Sequence, residues 1–231
     1  MTAPTFRTGF LLFPGMTQLD MTGPYEVLSR LPGSAIHLVW KEAGPVASDR
    51  GLAIVATESF ATCPALDLIC VPGGPGINEL LTDAPVLEFI RHQAWGARYI
   101  TSVCTGALVL GAAGLLYGKR ATTHWMSHDL LAAFGAVPVK ARVVTDGRLI
   151  TGGGVTAGID FGLTILAELG GRELAQAVEL GLEYDPQPPF GTGSPERAGP
   201  ELEARMRALS DRIQGLRAEQ VRRAAAALAP A

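Results

Sequence analysis

The chain alternates short β-rich runs with segments of helical periodicity, and this alternation limits its fold more than any other feature. The run DLICV (67–71) is continuously apolar and ends at Pro72-Gly73-Gly74, as a strand buried on both faces does. Residues 84–97 follow it with apolar side chains at three- and four-residue spacing. Parallel strands joined by helical crossovers produce this order. We therefore predict an α/β fold, a three-layer sandwich around a mainly parallel central sheet.

The pattern of strands and helices along the whole chain predicts one domain followed by a C-terminal extension. Residues 1–190 form the predicted α/β domain, and residues 191–231 form an extended linker and a C-terminal helix that packs on the domain or on a dimer partner. Further strands are predicted at 7–13, 35–41, 52–56, 99–103, 142–145 and 148–151, and further helices at 20–31, 105–113, 123–134, 156–169, 172–184 and 201–228.

Composition excludes several classes of protein. Of the 231 residues, 48% are apolar and 18% charged, which excludes a disordered chain. A net charge of −3 provides no general attraction for nucleic acid or an anionic membrane. Three cysteines are too few for a disulfide scaffold and favour a reducing compartment, so we expect a cytoplasmic protein. The uncharged run 99–118 contains four glycines, which favours a strand, a turn and a buried helix over a membrane span.

Cys104 is the main candidate for a catalytic residue. It stands between an apolar strand and a helix that begins at once with small residues, Thr105-Gly106-Ala107. A nucleophile at such a turn projects beyond the carboxyl edge of the sheet, where open α/β sheets bind their ligands. Free N–H groups at the start of the helix would favour the thiolate. The alternative is a structural buried thiol, which is common for free cysteine.

Asp20 is the candidate carboxylate partner, because it follows the first strand and so lies at the same edge. From spacing alone it is either a helix cap or a proton donor whose pKa is raised beside a thiolate. Gly73 and Gly74 also end a strand at this edge and can approach a substrate closely, and residues 152–154 can wall the same pocket. His124 is read as a capping or core histidine. No His/Cys/Asp cluster has the spacing of metal ligands, so no metal is expected.

Four segments in order carry a family resemblance: LDMTGPYEVL, CVPGGPG, TSVCTGALVLGAAGLLYGKRATTHW and TGGGVTAGIDFGL. Over residues 6–190 the chain resembles the PfpI-type superfamily of glutamine-amidotransferase-like folds. Within it, Asp in QLDMTGP, Cys-Thr in place of Cys-His, and the Pro-rich segment before the terminal helix resemble the isocyanide hydratase branch.

The resemblance implies a flavodoxin-like sandwich, a homodimer and no cofactor. It implies Cys104 as the nucleophile, Asp20 as its carboxylate partner, and Thr105 with the Gly73–Gly74 backbone on the oxyanion side. Val155 would pack beside the nucleophile at the start of a helix. The implied reaction is a hydration: water adds to a small apolar isocyanide through a cysteine thioimidate and gives an N-substituted formamide.

Other functions stay open at this stage. The block around Cys104 also resembles the ligand-sensing, amidase-like domain of transcription regulators. The six arginines of the terminal helix are interleaved with four acidic residues, a net charge of +2, which favours a solvated or dimer-packing face over a DNA-binding one. A cofactor-free glyoxalase-like enzyme acting on 2-oxoaldehydes and a redox sensor are further alternatives. A protease is disfavoured because no histidine follows the cysteine.

Overall fold

A seven-stranded sheet forms the centre of the protein. The structure is a computed structural model and describes residues 6–228. The sheet order is β10-β11-β7-β6-β1-β2-β5, and every neighbouring pair is parallel except β10–β11, which is an antiparallel hairpin. Its strands are β1 (Phe6–Leu11), β2 (Ser34–Trp40), β5 (Glu58–Ser59), β6 (Leu68–Val71), β7 (Tyr99–Val103), β10 (Val143–Asp146) and β11 (Leu149–Gly152). The predicted sandwich with a mainly parallel sheet is therefore confirmed.

Helices cover both faces of this sheet. The first helical layer packs on β7, β10 and β11 and contains α1 (Gln18–Leu28), α5 (Ala157–Gly170) and α6 (Arg172–Gly181). The other layer packs on β6 and β7 and contains α2 (Ile77–Leu80), α3 (Ala84–Gly96), α4 (Gly106–Ala112), a 3₁₀ helix (Trp125–Phe134) and α8 (Pro200–Leu228). The short helix α7 (Pro195–Ala198) precedes α8. All four residues of β6 and all seven of α4 are buried, as their apolar sequences predict.

Some elements differ from the sequence-based prediction. The run at 52–56 is half of a separate hairpin, β3 (Gly44–Ala47) with β4 (Ala53–Ala56), and β8 (Arg120–Ala121) pairs with β9 (Val137–Pro138). Residues 125–134 form a 3₁₀ helix that ends at Gly135 with φ +70°. Of the helices between residues 6 and 228, none is both long enough and apolar enough to cross a bilayer.

The carboxyl ends of four parallel strands meet at one edge of the sheet. In the register, Phe10 of β1 lies beside Cys70 of β6, Val71 of β6 beside Ser102 of β7, and Val103 of β7 beside Gly152 of β11. The segments that follow these strands therefore converge. They contain every site residue that the sequence nominates.

Candidate active site

Cys104 occupies the sharp turn between β7 and α4. Its φ of +56° is rare for a residue with a side chain, because Cβ then crowds the backbone. Its N–H donates to the carbonyl oxygens of Gly152 (3.0 Å) and Gly153 (2.9 Å), and Thr123 Oγ1 donates to its carbonyl oxygen at 2.7 Å. These bonds from two neighbouring segments hold the turn in a conformation that the isolated chain would avoid.

Asp20 lies in the first turn of α1 and is fully buried. Its Oδ2 accepts a hydrogen bond from the N–H of Gly73 at 3.0 Å, and the helix cap is Thr17, so the cap interpretation is wrong. Oδ1 has no partner of good hydrogen-bond geometry in residues 6–228, and the Cys104 side chain is the group that reaches this carboxylate. Burial raises the pKa of Asp20 to about 7, against the lowering effect of the Cys104 and Gly73 hydrogen bonds.

The electrostatic balance at Cys104 favours the thiol when no substrate is bound. Burial raises the pKa of Cys104, and a negative charge on Asp20 raises it further. Hydrogen bonds from the backbone N–H groups of Thr105 and Val155 lower this pKa, but burial outweighs them. The N–H of Thr105, at the start of the following helix, therefore favours the thiolate as expected, but its effect is smaller than that of burial. The raised pKa of Asp20 was expected from a neighbouring thiolate, but its main cause is burial.

Thr105, Gly73 and Gly74 form a tight cluster beside Cys104. The N–H of Gly74 donates to Thr105 Oγ1 at 3.0 Å, while the N–H of Gly73 is engaged by Asp20. A Cβ atom on Gly73 would lie 2.8 Å from Cys104 Cβ and 2.7 Å from Thr105 Oγ1, so this position requires glycine. Both glycine N–H groups therefore already have acceptors within the cluster, Asp20 and Thr105.

Val155 and His124 lie on the β11 side of the site. Val155 precedes α5 at φ +21°, an uncommon conformation for a β-branched residue, and is half-buried. His124 Nδ1 accepts the N–H of Met126 at 3.4 Å, which confirms the capping interpretation. Burial, with the nearby charge of Arg217, lowers the pKa of His124 to about 4, so this ring is neutral at physiological pH. Within residues 6–228, no group of three His, Cys, Asp or Glu side chains is arranged to hold a metal ion.

Sequence reasoning missed Thr123 and Arg217. Thr123 donates a hydrogen bond to the Cys104 carbonyl oxygen, and no pattern in the sequence predicts this contact. Arg217 is buried at 5% exposure against residues of its own chain, so the expected solvated or dimer-packing face does not include this arginine. A signal existed: Arg217 stands one and two turns before Val221 and Ala224, the other buried residues of α8.

Comparison with known proteins is consistent with this site. The chain is 60% identical to "Isonitrile hydratase" of Pseudomonas putida over 224 residues, 96% of this chain and 97% of that protein. It is 32% identical to the "HTH-type transcriptional regulator GbdR" of Pseudomonas aeruginosa over 77% of this chain and 50% of that one.

Among solved structures, the chain resembles a THiJ/PfpI family protein from Pseudomonas syringae. The TM-score is 0.90 at 44% identity, over 95% of this chain and 90% of the other. The model of the DJ-1/PfpI family matches residues 7–168, which include the turn at Cys104, Asp20 and the Gly73–Gly74 segment. The chain therefore belongs to the DJ-1/PfpI family.

Proposed function

We propose that the protein is an isocyanide hydratase, which adds water to R–N≡C and releases the formamide R–NH–CHO. The observation that carries the proposal is the buried Cys104–Asp20 pair, in a chain 60% identical over nearly its full length to an isonitrile hydratase. A thiol and a carboxyl group with a pKa of about 7 supply a nucleophile and a proton carrier. The proposed chemistry therefore uses no cofactor.

The first half of the proposed cycle joins the substrate to the enzyme. Ionised Asp20 takes the thiol proton, and the Cys104 sulfur attacks the terminal carbon of R–N≡C. Asp20 then delivers the proton to that same carbon, which gives the thioimidate R–N=CH–S–Cys104. A carboxyl group with a pKa near 7 is present in both protonation states at neutral pH, which suits a group that accepts a proton in one step and delivers it in the next.

The second half of the cycle consumes water and restores the pair. Asp20 takes a proton from water, the hydroxide adds to the thioimidate carbon, and the proton passes to nitrogen. The tetrahedral intermediate R–NH–CH(OH)–S–Cys104 then collapses and expels the sulfur, while its hydroxyl proton returns to the thiol through Asp20. One water is added in total, and both side chains end in their starting forms.

The other residues of the cluster would align this chemistry. We propose that Thr105, Gly73 and Gly74 position the thiol and the carboxyl group, since the two glycine N–H groups bind Asp20 and Thr105. Val155 would add apolar surface for a small apolar substrate, and its N–H contributes a hydrogen bond to the sulfur.

The decisive experiment is an ultraviolet assay with a simple aryl isocyanide, with the product identified by its mass gain of one water. Wild type and Cys104→Ala run side by side, and methylglyoxal serves as a second substrate. Isocyanide turnover that disappears in the variant is the expected result. Turnover of methylglyoxal alone would instead support the glyoxalase-like function, and inactivity on both would favour a ligand-sensing domain, as in the regulator that resembles this chain.

A homodimer is the assembly that we propose, in line with the family. Leu180 and Phe190 are 82% and 86% exposed, and a cavity of about 310 Å³ opens near Leu19, Val27 and Ile159. A second copy would cover such apolar surface. Light scattering should give twice the chain mass of 24.2 kDa, and a monomer would contradict the proposal. The cytoplasmic location stays a prediction, supported by three cysteines that are all free.

A further inference from the structure

One arginine of the C-terminal helix enters the protein interior instead of the solvent. Arg217 is 5% exposed, whereas the five other arginines of α8 are exposed: Arg205, Arg207, Arg212, Arg222 and Arg223. Its helix packs on α2, α4 and the 3₁₀ helix. A buried guanidinium loses its hydration and requires compensation from the protein.

The direct partners of Arg217 are all neutral. Nε donates to Asn78 Oδ1 at 3.0 Å, Nη1 to Ser127 Oγ at 3.1 Å, and Nη2 to the carbonyl oxygen of Gly74 at 3.4 Å. None of the carboxylates in residues 6–228 forms an ion pair with it, although the exposed Arg207 and Arg223 each have one. The charge of Arg217 is therefore hydrogen-bonded but has no counter-ion in direct contact.

Arg217 lies close to the turn that carries the nucleophile. The carbonyl of Gly74 binds Arg217, and the N–H of the same residue binds Thr105 Oγ1, so a single glycine separates the guanidinium from the nucleophile turn. Burial lowers the pKa of Arg217, and a charge on Cys104 raises it. Beyond Cys104 and Asp20 themselves, three titratable groups of the described chain interact electrostatically with Arg217 or Asp20, and none of them is a cation at neutral pH: Asp49 acts on Asp20, Asp20 on Cys70, and Arg217 on His124.

We propose that Arg217 is a positioning residue that provides the counter-charge of the Cys104–Asp20 pair. This pair holds one negative charge as thiol with carboxylate, and again as thiolate with carboxylic acid. On the proposed function, it holds one negative charge also as thioimidate with carboxylate. One fixed positive charge therefore suits each of these three charged states, while the bond of Arg217 to Gly74 keeps the adjoining peptide in place.

The test measures alkylation of Cys104 by iodoacetamide as a function of pH, with each thiol quantified by peptide mass spectrometry. A nearby cation favours the anion, so its removal raises the pKa of the thiol. In Arg217→Gln we expect the midpoint of Cys104 alkylation to rise by about one pH unit or more. The half-buried Cys63 serves as the internal standard, Arg217→Lys should restore most of the wild-type midpoint, and the exposed Arg212→Gln is the matched control.

A second variant covers the case in which Arg217→Gln does not fold. Asn78→Asp preserves the shape at the Nε partner and gives Arg217 a carboxylate that cancels its charge. It should raise the Cys104 midpoint in the same direction. A wild-type midpoint in folded Arg217→Gln, or in Asn78→Asp, would overturn the proposal.

Catalysis provides a separate readout. Isocyanide turnover should fall about tenfold or more in Arg217→Gln, mainly in kcat, because the charge acts on reacting groups and not on an apolar substrate. The alkylation experiment needs no substrate. If the midpoint shifts in a protein without hydratase activity, the proposed function is refuted and the counter-charge role of Arg217 is supported. If the midpoint does not shift in an active hydratase, the counter-charge role is refuted and the proposed function is supported.

Discussion

Cys70 lies in β6 and Cys104 directly follows the neighbouring strand β7, but only Cys104 is proposed to react with substrate. Both are buried, at 0% and 5% exposure, and burial raises the pKa of both, that of Cys70 to about 12. A negative charge on Asp20 raises each pKa further. Burial and the shared carboxylate therefore do not distinguish a nucleophile from a core thiol.

The difference lies in the backbone and in the donors around each sulfur. Cys70 stands inside β6 in regular parallel register with Thr101, with which its side chain also forms a hydrogen bond. Cys104 stands one residue beyond β7 at φ +56°, and backbone N–H groups from two segments point at its sulfur. A strand end gives the thiol access to a carboxyl group and fixed donors, whereas the strand interior gives it packing.

The largest expected effect separates these two cysteines. Cys104→Ala should lower kcat/KM for an isocyanide by at least about 10³-fold, because it removes the bond-forming atom. Cys70→Ala should keep near-normal turnover and lose about 1 kcal/mol of unfolding free energy through the small cavity left behind. The ultraviolet assay and denaturant unfolding measure the two. Activity in Cys104→Ala would remove the covalent route, and inactivity in folded Cys70→Ala would break the comparison.

Asp20 provides the next test, since it acts on both thiols but is proposed to transfer protons at only one. Asp20→Asn keeps an acceptor for the N–H of Gly73 and cannot carry the proton, so kcat should fall by about 10²-fold or more. Product formation and fluorescence-monitored folding are measured together. Wild-type kcat in Asp20→Asn would exclude the proton-transfer role.

The same variant should be more stable than the wild type. Because the folded-state pKa of Asp20 is about 7 against 3.8 for the free group, the folded protein binds more protons between these values and loses stability as pH rises through them. Asp20→Asn lacks this penalty, so its unfolding free energy should exceed that of the wild type by about 4 kcal/mol above pH 7. The gap should close as pH falls from 7 towards 4. Urea unfolding at several pH values measures this difference in unfolding free energy. A difference that does not change with pH would show that the pKa of Asp20 is not raised in the folded protein.

Most of the fold could be predicted from the sequence because the buried strands are continuous apolar runs that end at turn residues. In DLICV apolar residues follow one another without alternating with polar ones, which indicates a strand buried on both faces. The Gly-rich turn after it marks the carboxyl edge of the sheet, where Cys104, Asp20 and the Gly73–Gly74 segment meet. The strand β3, which completes the hairpin with the predicted strand at 52–56, and the two-residue strand β5 were missed because they are short and partly exposed, so their hydrophobic patterns are weak.

The site was harder to foresee where long-range contacts decide it. The pKa of Cys104 depends on how much burial outweighs two N–H donors, one of which comes from Val155, far along the chain. Arg217 lies more than a hundred residues from Cys104, and only the packing of α8 brings it to Gly74. Local sequence patterns predict which residues lie at the edge of the sheet, but not which charged residues from distant parts of the chain pack next to them.

The smallest effect compares the threonines next to the two thiols. Thr105 Oγ1 accepts the N–H of Gly74, and Thr101 Oγ1 donates to the carbonyl of Ile69 at 2.9 Å. Thr105→Val leaves a buried N–H unpaired beside the nucleophile, so kcat should fall about tenfold, while Thr105→Ser should retain most activity. Thr101→Val loses a comparable bond and should lower only the unfolding free energy, by about 1 kcal/mol. Equal losses of kcat in both valine variants would mean that the hydrogen bonds around Cys104 are no more important to the reaction than those around Cys70.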